Sequence, residues 1–290
     1  MENAHELERL RPRLFGLAYR MIGSRQEAED VVQEAFLRWH HKRPADIRSM
    51  EGWLVTVLSR LCVDRLRVLQ AERDAYVGPW LPEPLIALEP SPDHTIELAS
   101  DLSMALLVVL QRLSAEERVG FLMHDVFDCE YPDIAAALGK NEAAVRQLVH
   151  RARTRIGSDK RRFDVPAVAH QRLVEQYVLA VQERDADRIA ELLSHDAVFV
   201  SDGGGKTWAA LRPVIGAQRI ARMETGVLGK LPRTFSIDVG YVNGRAGALG
   251  KIGGRIYAVT SFETDGTHIL SIMRVLNPDK LGPAALPELL

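Results

Sequence analysis

Cysteine is scarce in this sequence, and its scarcity narrows the possible classes of protein. The chain has two cysteines, Cys62 and Cys129, in 290 residues. Both fall within apolar helical patterns and lack the spacing of a metal site. They are predicted to be small buried hydrophobic residues of a protein in a reducing compartment.

Long hydrophobic runs and an excess of one charge are also missing. The most apolar stretch, residues 104–110, is far shorter than the roughly 20 residues of a membrane helix. The first residues, MENAHELERLRPRLF, lack the apolar run of a signal peptide, so we expect a cytoplasmic protein. Because the net charge is −2, any contact with nucleic acid must come from local basic patches.

Residues 131–156 show the pattern of two short helices joined by a tight turn. Pro132 suits a helix start, and Gly139 suits a left-handed C-terminal cap. Asn141 is a good N-cap for the second helix, whose apolar positions recur at three- and four-residue intervals. The pattern predicts a helix-turn-helix whose second helix could enter a major groove.

The local charge around this second helix is basic. Eight Lys or Arg stand against three acids between residues 140 and 164, an excess that suits contact with phosphates. From this pattern alone, a plain helical hairpin with a solvated arginine face remains the alternative to DNA binding.

Residues 1–75 are predicted to be wholly helical. Ser24 and Glu27 form a capping box that opens a second helix. In the third helix, Trp53, Val57, Leu61 and Leu66 are predicted to face inward.

The segments DVVQEAFLRW and GWLVTVLSRLCVDRLR, separated by a short basic loop, resemble region 2 of bacterial RNA polymerase sigma factors of the extracytoplasmic-function type. The helix-turn-helix ending AAVRQLVHRARTRI resembles region 4 of the same family. Both regions in this order are strongly specific for the family, and they cover about the first 160 residues.

The resemblance implies three sets of contacts. Core polymerase would meet the polar side of the second helix, at Asp30, Gln33, Glu34 and Leu37; a plain solvated helix face is the alternative. The minus-ten promoter element would meet Lys42, Arg43, Arg48, Arg60, Arg65 and Arg67. Asp64 could instead orient an arginine through an ion pair. The minus-thirty-five element would meet Arg146, Gln147, His150 and Arg151, with Lys140, Arg153 and Arg155 on phosphates.

Residues 76–99 are rich in proline and are predicted to form an extended linker. In the sigma family the corresponding linker threads toward the active-site channel of the polymerase. The apolar segment Trp80, Leu81, Pro82, Glu83, Pro84 and Leu85 is expected to have a docking partner.

After residue 163 the pattern changes to helices followed by strands, which favours an α+β domain. Strands are predicted at 197–200, 234–242, 246–252, 255–263 and 268–276, with a helix at about 214–228. This order resembles the SnoaL-like cone fold. The glycine loop does not match a phosphate-binding loop, because Val200 replaces the required glycine. Of the available acid–base groups, no pair has a spacing that implies catalysis (His195, Asp196, Asp202, Asp238 and His268).

Three motifs together resemble the signature of the sigma subgroup that carries a SnoaL-like domain behind region 4. The first is the linker segment 80–85. The others are the glycine loop (Asp202, Gly203, Gly204, Gly205 and Lys206) and the segment Asn277, Pro278, Asp279, Lys280 and Leu281. The resemblance implies that the added domain regulates the sigma factor in cis, by docking these motifs near the linker and regions 2 and 4, with no separate anti-sigma protein.

The sequence therefore predicts a multidomain chain, with two all-α sigma domains followed by an α+β SnoaL-like cone. The expected divisions are region 2 at 1–75, the linker at 76–99, region 4 at 100–163 and the SnoaL-like domain at 164–290. We expect promoter-specific transcription initiation with the core polymerase and promoter DNA as partners. No catalytic residue, metal or cofactor is predicted, and the cone leaves room for an unidentified small ligand. The alternatives are a ligand-sensing helix-turn-helix regulator and a cyclase or isomerase with a DNA-binding appendage.

Overall fold

A computed structural model describes residues 2–42, 49–87, 103–157 and 165–282. These residues divide into two compact units. The first contains residues 2–42, 49–74 and 106–157, and the second contains 75–87, 103–105 and 165–282. Within the described ranges, no helix combines the length and apolarity needed to cross a membrane.

The first unit is helical. Its helices are α1 (Glu2–Ile22), α2 (Arg25–Lys42), α3 (Met50–Asp74), most of α4 (Met104–Leu110), α5 (Ala115–Asp125), α6 (Tyr131–Leu138) and α7 (Glu142–Ile156). Helix α3 packs against α1, α2, α5 and α6, so its buried face is wide. Of the four residues predicted to face inward on α3, Leu66 is buried, whereas Trp53, Val57 and Leu61 are half-buried. The fully buried side chains lie beside them, at Leu54, Val55, Leu58, Cys62, Val63 and Leu66.

The helix-turn-helix of α6 and α7 is confirmed together with its caps. Gly139 adopts the left-handed conformation, with φ of 63°. The Asn141 side chain accepts a hydrogen bond of 2.8 Å from the Ala144 N–H. The Ser114 hydroxyl accepts from the Glu117 N–H, and the Glu117 carboxylate accepts from the Ser114 N–H. These local bonds fix where each helix begins and ends.

The second unit is an α+β domain. After α8 (Ala167–Glu183) and α9 (Ala186–Leu192) come β2 (Leu193–Asp202), β3 (Val214–Ile215), α10 (Ala217–Leu228), β4 (Phe235–Val242), β5 (Arg245–Ile252), β6 (Arg255–Thr264), β7 (Ile269–Val275) and α11 (Pro278–Leu281). The helix predicted from about 214 begins later, because Val214 and Ile215 pair with β2. The core lies between α8, α10 and the sheet, around Tyr177 and Phe262, whose rings meet edge to face at 5.0 Å.

The sheet takes one strand from the predicted linker. The strand order is β1-β4-β5-β6-β7-β2-β3, in which β1 is Ile86–Ala87. This short strand pairs antiparallel with β4, opposite Val242 and Tyr241. This strand was not predicted, because two residues are too few to show a periodicity.

Candidate functional site

The predicted polymerase-binding side of α2 is exposed. Asp30 and Gln33 face solvent, and Leu37 is 47% exposed. The Glu34 carboxylate lies 2.8 Å from Arg38 one turn later. An exposed leucine among polar groups suits a protein contact, and the assignment of this face to the polymerase stays a prediction.

The arginines predicted for the minus-ten element have partners within the first unit. The Arg60 guanidinium donates to the Ala137 carbonyl at 3.0 Å and also to the Ala136 carbonyl, both in the last turn of α6. A guanidinium there satisfies carbonyls that the helix leaves unpaired.

Arg65 and Arg67 form ion pairs instead. The Arg65 Nη2 lies 2.5 Å from the Glu27 carboxylate. The Glu27 N–H also donates to the Ser24 hydroxyl at 3.4 Å, which is one half of the predicted capping box. Arg67 lies 3.4 Å from Asp64 and 3.7 Å from Glu116, which gives Asp64 the ion-pair contact offered as an alternative. Lys42 is exposed, and Arg43 and Arg48 lie outside the described residues.

The basic residues of α7 fall into two groups. Arg146, Gln147 and His150 occupy its exposed face. The Arg146 guanidinium lies 3.3 Å from Glu142 and 4.3 Å from the centre of the Tyr131 ring. These side chains are accessible to a duplex, and their contact with base edges stays a prediction.

The second group is anchored to acids of α5. Arg151 lies 3.0 Å and Arg155 2.5 Å from the buried Glu117 carboxylate. Arg153 forms a bidentate pair with Asp125, with Nη2 2.5 Å from Oδ1. Lys140 lies 3.2 Å from Glu116.

These anchored residues keep their predicted roles as proposals, although the structure also gives them a folding role. Glu117 was missed as an organiser of α7, because its position within a capping box already accounted for it. Burial acts to raise the pKa of Glu117, but its hydrogen bonds from Ser114 and Arg151 and the charge of Arg155 outweigh burial and lower it.

Three sequence motifs converge on one buried carboxylate in the second unit. Asp202, at the end of β2, is fully buried. One oxygen accepts from the Tyr76 hydroxyl at 2.6 Å. The other accepts from the Leu81 N–H at 2.8 Å and from the Lys280 ammonium at 2.7 Å. We call this cluster the linker dock; it consists of Asp202, Lys280, Tyr76, Trp80, Leu81 and Asn277.

The Lys280 side chain closes the linker dock from the other side. Its ammonium donates to the Leu81 carbonyl at 2.8 Å and lies 3.9 Å from the centre of the Trp80 ring. The expectation that this apolar segment has a docking partner is met within the second unit, with Leu81 only 2% exposed. Tyr76 lies upstream of the predicted motif and was missed, since a single tyrosine before a linker carries no pattern.

The glycine loop makes room for these contacts. A Cβ built on Gly204 would lie 2.3 Å from the Asn277 side chain and 2.9 Å from the Tyr76 hydroxyl, and Gly204 has φ of +61°. Both the space and the backbone angle therefore require glycine. Lys206 pairs with Asp279 at 2.8 Å.

The third motif, residues 277–281, also contacts the linker dock. The Asn277 amide donates to the Tyr76 hydroxyl at 2.8 Å. Pro278 begins α11, in which Leu281 is buried.

The rest of the linker segment runs along the sheet edge. The Leu85 N–H donates to the Asn243 side chain at 3.1 Å, and the Leu85 carbonyl accepts from the Asn243 N–H at 2.8 Å. Pro82, Glu83 and Pro84 connect this contact to the linker dock. Proline suits a strand edge because it has no N–H to donate.

The family models match both helical segments. Sigma-70 region 2 matches residues 7–72, and Sigma-70 region 4 matches residues 103–156.

Curated relatives point the same way. The chain is 35% identical to the ECF RNA polymerase sigma factor SigJ of Mycobacterium tuberculosis over 295 residues, 98% of this chain and 94% of that protein. It is 34% identical to the probable ECF RNA polymerase sigma factor SigI of the same organism over 182 residues, 62% of this chain and 63% of that protein.

A solved structure agrees as well. The crystal structure of M. tuberculosis SigJ superposes with a TM-score of 0.78 at 33% identity, covering 97% of this chain and 99% of that one. The chain therefore belongs to the extracytoplasmic-function RNA polymerase sigma factors, in the subgroup that carries a SnoaL-like domain behind region 4.

Proposed function

We propose that this sigma factor directs promoter-specific initiation with the core polymerase, and that its SnoaL-like domain restrains it in cis by holding the linker. The linker dock carries the proposal. It joins the linker, the end of β2 and helix α11 through one fully buried carboxylate.

Capture of the linker competes with its role in transcription. A linker that threads toward the polymerase active site must offer an extended, unpaired backbone. Here Leu81 bonds Asp202 and Lys280 through both its backbone groups, and Ile86 and Ala87 pair with β4. The same backbone groups cannot serve both states, so docking and threading exclude each other.

Docking also shortens the tether between regions 2 and 4. Fully extended, the 24 residues of the predicted linker reach about 85 Å; docking holds residues 76–87 at a fixed span and leaves only the 12 beyond Ala87 free to extend, by about 40 Å. Elements centred about 25 base pairs apart are separated by roughly 85 Å along the duplex. Releasing residues 76–87 therefore favours a conformation that reaches both elements.

A second restraint lies inside the first unit. Arg60 of α3 bonds the end of α6, Arg118 of α5 donates to the Met21 carbonyl of α1, and Arg67 pairs with Glu116. Desolvation and the charge of Arg73 lower the pKa of the buried Arg118 to about 9. These contacts hold regions 2 and 4 together, and binding to two distant promoter elements requires that they separate.

The direct test is in vitro transcription by the full-length chain with bacterial core polymerase. Lys280→Met removes the ammonium from the linker dock but keeps the apolar stem. Since allosteric coupling is typically 1–3 kcal/mol, we expect transcript yield to rise at least about fivefold.

The matched control is Lys251→Met, which removes a lysine from an Asp238 pair of 2.9 Å elsewhere in the same domain. That variant should transcribe like the wild type. Equal or lower yield from Lys280→Met would contradict restraint by the linker dock. No promoter-dependent transcript from any variant would contradict the sigma function itself.

The other candidate functions gain no support from the site. A regulator that acts without the sigma mechanism leaves residues 7–72 unexplained. For the SnoaL-like domain we propose no catalytic role: Asp202 and Asp238 have lysine partners, and His195, Asp196 and His268 are exposed. We further propose that the restraint needs no separate anti-sigma protein.

A further inference from the structure

The SnoaL-like domain encloses a cavity that the linker dock does not use. Its volume is about 180 Å³. An apolar cavity of about 150 Å³ is large enough for benzene, so this space suits a single ring with a small substituent. The lining is mostly apolar, as Val181, Phe199, Met223, Val227, Phe235 and Ile237 show.

The charged residues of the cavity wall neutralise each other. The Arg274 guanidinium forms a bidentate pair with Glu224, at 3.0 Å from Oε2 and 2.9 Å from Oε1. Burial acts to lower the pKa of Arg274, but the charges of Glu224 and Tyr177 and the hydrogen bonds to both residues together outweigh burial and raise that pKa. An anionic or cationic ligand would have to displace one partner and leave the other charge buried without compensation, which is costly.

Two buried hydroxyls in the wall retain hydrogens to donate. The Ser201 Oγ accepts from the Ala210 N–H at 2.9 Å, and the Thr260 Oγ1 accepts from Arg274 Nε at 3.0 Å. Both residues are 2% exposed, and no residue in the described ranges accepts a hydrogen bond from either hydroxyl. Buried polar hydrogens normally have an acceptor. An acceptor oxygen inside the cavity would satisfy the Ser201 and Thr260 hydroxyls.

We propose that this cavity binds a neutral, single-ring molecule that carries a carbonyl or similar acceptor oxygen. Shape selects the ring, the closed ion pair excludes charged molecules, and the two hydroxyls select the acceptor. The proposal concerns binding alone and stands whether or not the linker dock restrains transcription.

Three probes of equal non-hydrogen atom count test the chemistry: acetophenone, benzoate and benzamidinium. Each is titrated into the full-length chain and followed by ligand-observed NMR. We expect saturable binding of acetophenone, with benzoate and benzamidinium at least about tenfold weaker, because each charged probe opposes one member of the Glu224–Arg274 pair.

Two variants locate the binding within the cavity. Ala210→Phe, in a partly exposed segment of the wall, should fill the space and abolish acetophenone binding. Ser201→Ala should weaken binding about two- to tenfold, the worth of one hydrogen bond. Val239→Phe places the same phenyl side chain on β4, at a site 37% exposed and outside the lining, so it should leave binding unchanged.

Equal binding of the three probes would overturn the proposed selectivity. No saturable binding of acetophenone, or unchanged binding in Ala210→Phe with circular dichroism like the wild type, would overturn the site.

Discussion

Two buried carboxylates organise this molecule, and they differ in what they connect. Glu117 is 3% exposed and Asp202 is fully buried. Glu117 bonds its own helix cap and two arginines of the neighbouring α7. Asp202 bonds groups 126 and 121 residues upstream and 78 residues downstream.

The cations around these two acids differ as well. Arg151 and Arg155 keep 51% and 52% of their side chains exposed, so they remain accessible to phosphates while bound to Glu117. Lys280 keeps only 12%, so its ammonium has little contact with water. A buried acid can therefore hold cations accessible to a partner or hold a segment in place, depending on the exposure of its counter-ions.

The largest effect should follow from breaking the locked pair. Asp202→Asn leaves the Lys280 ammonium buried without its counter-ion, which typically costs 3–5 kcal/mol. The docked linker segment should open more readily, and hydrogen exchange at the Leu81 N–H should accelerate at least about 100-fold, since 1.4 kcal/mol is a factor of ten.

Asp238→Asn is the control for this prediction. Its lysine pair is exposed at the carboxylate and should matter little. Unchanged protection of Leu81 in Asp202→Asn would show that the charge does not lock the linker.

A smaller effect is expected from Glu117→Gln, because its counter-ions are half exposed. We expect a loss of roughly 1–2 kcal/mol, at the low end for hydrogen bonds to charged groups. The folded pKa of Glu117 lies below the unfolded one, so its contribution is complete above the unfolded pKa of about 4.3. It is then lost as the pH falls through the folded pKa.

Urea unfolding followed by circular dichroism checks both parts of this prediction. The difference between wild type and Glu117→Gln should be constant above about pH 5.5, more than one unit above the unfolded pKa, and should shrink in acid. Glu142→Gln, which removes an exposed i,i+4 pair, should show almost no difference. If the difference in unfolding free energy between wild type and Glu117→Gln did not change with pH, the ionised carboxylate would be ruled out as its source.

The smallest effect concerns the face of α7 that is predicted to read the minus-thirty-five element. The Arg146 guanidinium lies over the Tyr131 ring, and Tyr131 in turn contacts His124, with ring centres 4.3 Å apart. Tyr131→Leu removes an interaction worth about 0.5–1 kcal/mol. Discrimination between minus-thirty-five sequences should fall about two- to fivefold.

Transcription from a promoter library measures that discrimination. Tyr131→Phe keeps the ring and should retain the wild-type preference. If Phe and Leu behave alike, the ring does not position Arg146.

Local signals predicted much of the fold. The Gly139 turn, the Asn141 cap and the Ser114–Glu117 box depend on bonds between residues at most four apart, so their chemistry is legible in a short window. The five longer strands of the second unit also overlap the five strands that the sequence predicted. The late start of α10 was missed. Val214 pairs with Phe199 in the sheet, so the helix can begin only after Gly216, and this pairing depends on residues distant in sequence.

The sequence predicted which motifs take part in the candidate site but not how they contact each other. The three motifs of the subgroup were identified from the sequence, but their common centre, the Asp202 carboxylate, was not. The arginines of α3 were assigned to DNA. The structure also gives them partners within the protein that no sequence pattern predicted, such as the Ala137 carbonyl for Arg60. The cavity residues Glu224 and Arg274 lie 50 positions apart and share no motif.

The sequence by itself determined the caps of the helix-turn-helix, the division into helical and α+β parts and the family, since these depend on neighbouring residues and on a recognisable order of motifs. Only the tertiary structure decided which charges meet. Whether Lys280 becomes a lock or a solvated surface charge depends on how the chain closes around Asp202. That outcome rests on burial and on contacts between distant residues, because the strength of an ion pair is set by its exclusion from water.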